Sequence, residues 1–152
     1  MTNSESLPEM SEPAPVRVLL ADDHPTNRII IELILEVVGA EVVSVADGAQ
    51  ALEQFKQQRF DVVLMDVQMP VMDGLTAIRA IRAFEIERGG RRTPVHVVTT
   101  NALPEHFRQS MAAGADGHIT KPVAAPELLT AVMTAAESVA ETVNERAASS
   151  AA

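Results

Sequence analysis

Five short aliphatic runs, VRVLLA (16–21), EVVSVA (41–46), DVVLMD (61–66), PVHVVTT (94–100) and GHIT (117–120), are each separated from the next by a stretch long enough for a helix. That alternation leaves little freedom. Consecutive strands joined by a helical crossover lie parallel, and a parallel sheet needs helices on both faces. The spacing therefore predicts an α/β fold built on a five-stranded parallel sheet. The near-continuous Val, Ile and Leu content of the runs agrees with burial on both sides.

The intervening segments read as helices with defined ends. DDHP opens the first, with Pro25 suited to the first helical position, Gly39 as its stop, and Ile29, Ile30, Leu33, Ile34, Val37 and Val38 as the inward stripe. Asp47 caps the second, with Gln50 as its capping-box partner and Ala51, Leu52 and Phe55 facing inward. Asp73-Gly74 starts the third, which bears Leu75, Ile78, Ile81 and Phe84. The fourth, 103–113, has a thin stripe of Leu103, Phe107 and Met111, and the last opens at Pro126 with Leu128, Leu129, Val132, Met133, Ala136 and Val139. Residues 1–15 are polar, contain proline and lack a period, so they are expected to form a flexible arm before a folded domain at 16–143. Residues 144–152, mostly Ala and Ser, are expected to be a flexible tail.

Charge narrows the partners. The net charge is -9, and no basic face suited to nucleic acid or to an anionic membrane stands out. The absence of cysteine excludes disulfides and thiolate metal sites. The most apolar run, IIIELILEVV, is interrupted by Glu32 and Glu36, and the N-terminus has no basic-then-apolar signal. A cytoplasmic protein without membrane or direct nucleic-acid contacts is expected.

In an open parallel sheet, ligands sit outside the carboxyl ends of the strands. Asp22 and Asp23 follow the first strand, Asp66 ends the third, Thr99 ends the fourth and Lys121 follows the fifth. Residues distant in sequence should therefore meet on one edge. Two carboxylates about 4 Å apart repel by roughly 4 kcal/mol at an effective dielectric near 20, so three acids beside one lysine call for a cation. Every candidate ligand is a hard oxygen, which favours Mg²⁺ over zinc. A carboxylate held beside a metal and an ammonium group can act as a nucleophile toward phosphorus.

ADDHPTN, VVLMDVQMPVMDG, PVHVVTTNA and GADGHITKP resemble, in order and spacing, the signature segments of the receiver domain of two-component response regulators, over residues 16–135. MDVQMPVMDG resembles in particular the receivers attached to hybrid histidine kinases. The resemblance implies strand order 2-1-3-4-5, a flavodoxin-like arrangement. It implies that Asp66 accepts a phosphoryl group from a phosphohistidine on a sensor histidine kinase or a histidine phosphotransfer protein. Asp23, Asp66 and the carbonyl of Gln68 match the Mg²⁺ ligands, and Asp22 matches the acid that holds a metal-bound water. Lys121 matches the lysine that pairs with the phosphoryl oxygens, the bond to Pro122 is a candidate cis peptide, and Thr99 matches the hydroxyl that turns to the phosphoryl group. His118 stands where a tyrosine or phenylalanine that moves with that hydroxyl is more usual. Gln68, Thr100 and Asn101 occupy positions that tune access to the phosphoryl group and its lifetime; Thr100 is bulkier than the small residue often found there.

His96, inside the fourth strand, is expected to be a hydrogen-bonded core residue, and His24 and His106 to be loop and surface residues. The weakly anchored helix at 103–113, the fifth strand and the last helix are expected to form the face that phosphorylation reshapes for a downstream protein partner. The chain reads as a stand-alone single-domain regulator or as a receiver taken from a larger hybrid kinase. A monomer or weak dimer is expected, with Ala136, Val139, Ala140 and Val143 offering either a partner surface or a solvated extension. Two other functional classes stay open: a receiver-like binding scaffold that works without phosphorylation, and an aspartate-dependent phosphohydrolase. The latter wants a general acid two residues after the nucleophile, where this chain has Gln68. A nucleotide or flavin carrier is disfavoured, since the first loop offers carboxylates where phosphate needs bare amides.

Overall fold

The computed structural model describes residues 14–137. The elements run β1 (Arg17–Ala21), α1 (Pro25–Glu36), β2 (Glu41–Val45), α2 (Gly48–Gln57), β3 (Val62–Asp66), α3 (Gly74–Arg88), β4 (Val95–Thr99), α4 (Pro104–Ala113) and β5 (Gly117–Thr120), followed by a helix over 125–137, α5. All strand pairs are parallel and the order across the sheet is β2-β1-β3-β4-β5. The proposed arm up to residue 13, and the chain beyond 137 with Val139, Ala140, Val143 and the tail, lie outside the described residues.

Alternate strand residues feed two cores, one on each face. Leu19, Val63, Met65, Val95 and Val97 pack with Phe55 of α2 and with Ile78 and Ile81 of α3. Val18, Leu20, Val62, Leu64, Val98 and Ile119 pack with Ile31 and Leu35 of α1 and with Leu128 and Val132 of α5. Burial on both faces is complete along β3, whereas β2, an edge strand, is only half-buried beyond an exposed first residue. The sheet therefore corrects the expectation of uniform burial.

Two helices are rotated from their expected phase. In α1 the buried residues are Ile31 and Leu35, while Ile29, Ile30, Leu33, Val37 and Val38 are exposed, Leu33 at 59%. Aliphatic side chains surround this helix, so periodicity alone cannot choose the face; the sheet does. In α4 the buried side chains are the small Ser110 and Ala113, and Leu103 and Met111 are exposed, Met111 at 49%. Small residues let α4 approach closely without a large apolar stripe. In α5, Leu128, Val132 and Ala135 are buried and Met133 is exposed.

The caps follow the sequence closely. Asp47 accepts from the Gln50 amide at 2.8 Å, but the Gln50 side chain reaches the Ala46 amide rather than closing a box on Asp47. Asp73 accepts from the Thr76 amide at 2.9 Å. Next to it, Gly74 packs against the third strand so closely that a Cβ would lie 2.0 Å from the Asp66 carbonyl oxygen. Only glycine permits α3 to start there. At the other end of α3, Glu85 is buried, accepting from the Thr93 amide at 2.7 Å and pairing with Arg82 at 2.8 Å; Arg82 also pairs with Asp116 at 2.8 Å. This network ties α3 to the starts of β4 and β5. Among the described residues, no helix is long and apolar enough to cross a membrane.

Candidate functional site

The carboxyl ends of β1, β3, β4 and β5 meet over a cleft of about 570 Å³, whose lining includes Asp66, Gln68, Thr99, Thr100, Asn101 and Lys121. Ligand atoms of Asp22, Asp23, His24 and Asp66 lie within 4.8 Å of one another. The topology makes this convergence unavoidable, because each residue leaves the same edge of neighbouring parallel strands. Asp22 and Asp66 are buried. Lys121 Nζ lies 3.0 Å from Asp22 Oδ2 and 3.5 Å from Asp66 Oδ1.

Burial pushes the Asp66 carboxyl above its ordinary 3.8; Lys121 opposes this, Asp22 adds to it, the Gln68 amide opposes it and Asp23 adds to it. That amide approaches Asp66 Oδ1 at 3.4 Å, a long contact. Asp22 Oδ1 accepts from the His24 amide at 2.9 Å, which fixes the first loop. Asp22 Oδ2 and Asp23 Oδ1 are buried with no hydrogen-bond donor aligned on them, although Lys121 and the His24 imidazole stand within ion-pair distance at 3.0 Å each. Three carboxylates and one ammonium leave two negative charges, and a divalent cation would balance them. Oxygen-rich donors of this kind fit Mg²⁺.

Thr99 Oγ1 accepts from the Asn101 amide at 3.0 Å, and Asn101 in turn accepts from the Leu103 amide at 3.1 Å. The hydroxyl therefore anchors the loop that leads into α4. The Lys121–Pro122 peptide is cis. His118 does not line the cleft. Its ring stacks on Phe107 with centroids 4.2 Å apart, and burial holds its imidazole below the ordinary 6.5, with a backbone contact at Phe107 opposing.

The other histidines differ from expectation. His96 is half-buried and its Nδ1 has no partner, because its ring lies over Gly117, where a Cβ would stand 2.7 Å from that nitrogen. It is packed rather than hydrogen-bonded. His106 belongs to α4 and its Nε2 meets the Asn101 side-chain amide at 3.1 Å, inside the cleft. His24 is exposed, yet its Nδ1 joins the acidic cluster. Sequence reasoning missed His24, Asn27, His106 and Phe107 as cleft residues. For His24 a signal existed, since it directly follows the two acids.

Comparison with known proteins agrees with this geometry. The model of the response regulator receiver domain matches residues 18–133. The chain is 43% identical over 126 residues to the sensor protein GacS of Pseudomonas syringae pv. syringae, a match covering 83% of this chain and 14% of that protein. The peroxide stress-activated histidine kinase mak1 of Schizosaccharomyces pombe is 36% identical over 109 residues, 70% of this chain and 7% of that protein. The chain thus spans a small part of the curated relatives it matches. Among solved structures, the chemotaxis response regulator CheY4 of Vibrio cholerae is similar with a TM-score of 0.73 at 34% identity, covering 80% of this chain and 99% of that one. The receiver domain of the sensor histidine kinase PA1611 from Pseudomonas aeruginosa PAO1 has a TM-score of 0.74 at 37% identity over 82% of this chain and 99% of that one, and carries magnesium in its active-site cleft. Matched over residues 18–133, a span that holds the whole sheet, the acid cluster and the lysine, the chain belongs to the response regulator receiver domain family of two-component and phosphorelay signalling.

Proposed function

We propose that Asp66 is the phosphoacceptor and that the donor is a phosphohistidine on a sensor histidine kinase or a histidine phosphotransfer protein. The observation that carries this reading is the meeting of the Asp22, Asp23 and Asp66 carboxylates, with one lysine shared between Asp22 and Asp66, beside an open cleft that Asp66 and Lys121 line. Asp23, Asp66 and the Gln68 carbonyl would hold Mg²⁺, with Asp22 acting through a bound water. Bound there, the ion supplies positive charge for the phosphoryl oxygens. An Asp66 oxygen attacks phosphorus, the P–N bond to the donor imidazole breaks, and the electron pair returns to that ring nitrogen. Lys121 neutralises one transferred oxygen and the Thr99 hydroxyl donates a hydrogen bond to another. The same groups assist the later attack of water, with Gln68, Thr100 and Asn101 controlling its approach.

The output is protein contact through the face of α4, β5 and α5. Its support is the weak apolar anchoring of α4 together with exposed Leu103, Met111 and Met133. Phosphorylation draws Thr99 toward Asp66, disturbs its bond to the Asn101 amide and shifts the loop into α4, while His118 follows against Phe107. Cytoplasmic work beside a kinase fits this scheme.

The test is incubation with acetyl phosphate and Mg²⁺, followed by intact mass. One phosphoryl adduct is expected on the wild type and none on Asp66→Asn. An adduct that persists on Asp66→Asn moves the acceptor elsewhere. No adduct on either chain, with a cognate phosphohistidine donor also tried, favours the scaffold that works unphosphorylated.

A further inference from the structure

A second concavity lies at the opposite, amino-terminal edge of the strands. It has a volume of about 340 Å³ and is lined by Phe55, Arg59, Phe60, Arg88, Arg91 and Thr93, at the ends of α2 and α3 and just before β3 and β4. Three guanidinium groups converge there in a chain of net charge -9. The Arg91 side chain is only 14% exposed, and its nearest carboxylate oxygen, on Asp61, is 3.9 Å away. The other Asp61 oxygen already accepts from the Arg17 amide at 2.8 Å. Arg91 also donates to the Phe60 carbonyl at 2.8 Å. Among the described residues, neither Arg59 nor Arg88 makes an ion pair, and Arg88 lies over the rings of Phe55 and Phe84 at 5.4 and 4.9 Å.

Cations at helix C-termini are ordinary, and the two helix ends supply about -0.5 charge each. Asp61 and, more weakly, Glu85, itself paired with Arg82, offset part of the remaining charge, and neither contacts Arg59 or Arg88 as an ion-pair partner. Burial, then Arg59, lowers the Arg91 pKa, with Asp61 opposing, Arg88 adding to the fall and Glu85 opposing it, which agrees with room for an anion there.

We propose that this cavity binds a small free phosphorylated anion, a phosphomonoester or a pyrophosphate, between Arg59, Arg88 and Arg91. A guanidinium fork matches two oxygens of one anion. A monocarboxylate is satisfied by a single fork, whereas a tetrahedral dianion presents oxygens in several directions and uses three. The volume falls in the small-molecule range, and the basic groups surround a hollow rather than tracking a stripe as nucleic acid would require. The aromatic floor is already occupied, with Arg88 over Phe55 and Arg17 over Phe60 at 5.4 Å. Recognition is therefore of the phosphate, and the attached group contributes little.

The experiment titrates the full ¹⁵N-labelled chain, in chelator-containing buffer without Mg²⁺, with AMP, glycerol 3-phosphate, pyrophosphate and, separately, a phosphoserine peptide. The expected result is amide shifts concentrated at 55–60 and 88–93, similar affinity for the two monoesters, and about tenfold weaker binding in each of Arg59→Gln and Arg88→Gln. Both side chains are exposed, so the rest of the spectrum should be unchanged. Asp66→Asn and Lys121→Ala should leave this binding intact, which separates it from the phosphoryl site. Shifts confined to the Asp66 cleft, affinity unaltered in the arginine variants, or no shifts at all would overturn the proposal. A phosphopeptide that binds when the free anions do not would overturn the free-ligand assignment.

Discussion

Lys121 stands closer to Asp22 than to Asp66, 3.0 Å against 3.5 Å. The lysine is thus shared between two acids, and the nearer is not the proposed acceptor. A phosphoryl group on Asp66 has to draw the ammonium away from Asp22. Replacing it with an uncharged side chain removes a charge-assisted contact worth about 1.5–3 kcal/mol, a factor of about ten to a hundred in rate. Lys121→Gln should therefore be modified by acetyl phosphate more slowly by that factor, as followed by intact mass against time. An unchanged rate would remove Lys121 from the chemistry.

Asp23 belongs to a cluster of like charges, and neutralising it relieves repulsion. Asp23→Asn should raise stability by about 0.5–1 kcal/mol in chelator-containing buffer, since the contact is partly solvated. In the wild type, Mg²⁺ at 100 times its dissociation constant should add about 2.7 kcal/mol. Asp23→Asn should lose most of that gain. Thermal melts with and without Mg²⁺ read both effects, and an equal response in the two chains would exclude Asp23 as a ligand.

Glu85 is a buried acid remote from the cleft, holding Arg82 and the Thr93 amide. Removing it leaves a nearly buried guanidinium with Asp116 and two carbonyls as partners. Glu85→Ala should destabilise by about 3 kcal/mol, at the low end for breaking a buried pair. Urea denaturation measures this, and a loss below about 1 kcal/mol would show the network to be ornamental.

Burial holds the imidazoles of His96 and His118 below the ordinary 6.5; for His96, Asp116 opposes this and His118 adds to it. The fold favours the neutral rings, so the unfolded chain takes up protons first as pH falls. Their contribution is complete above 6.5 and is lost as pH falls from 6.5 toward the lowered folded values. Asp66 has the opposite slope, because its raised carboxyl binds a proton more readily in the folded chain. A comparison between chains isolates the histidines. His96→Val should lose less stability than the wild type between pH 7 and 5; parallel curves would mean that His96 titrates alike folded and unfolded.

The order of elements, the parallel sheet, the Asp47 and Asp73 caps and the convergence on one edge were all legible, because each depends on local pattern and on a general rule of α/β topology. Side-chain facing was less so. IIIELILEVV offers aliphatic groups all round α1, and only the sheet selects Ile31 and Leu35. Ser110 and Ala113 bury α4 without any hydrophobic signal. The charged groups of the far pocket lie on segments separated by about a helix and a strand, and nothing in their spacing announces that they meet. His96 escaped because the space for its ring is made by an absence, the missing side chain of Gly117.

Helix α3 begins against the Asp66 carbonyl, at a glycine with no room to yield, and runs fifteen residues to end at Arg88. It is a stiff rod of about 22 Å that runs from beside one site to the other. With Glu85 and Arg82 bracing its far end against the starts of β4 and β5, α3 is a strut that keeps the two edges of the sheet a set distance apart.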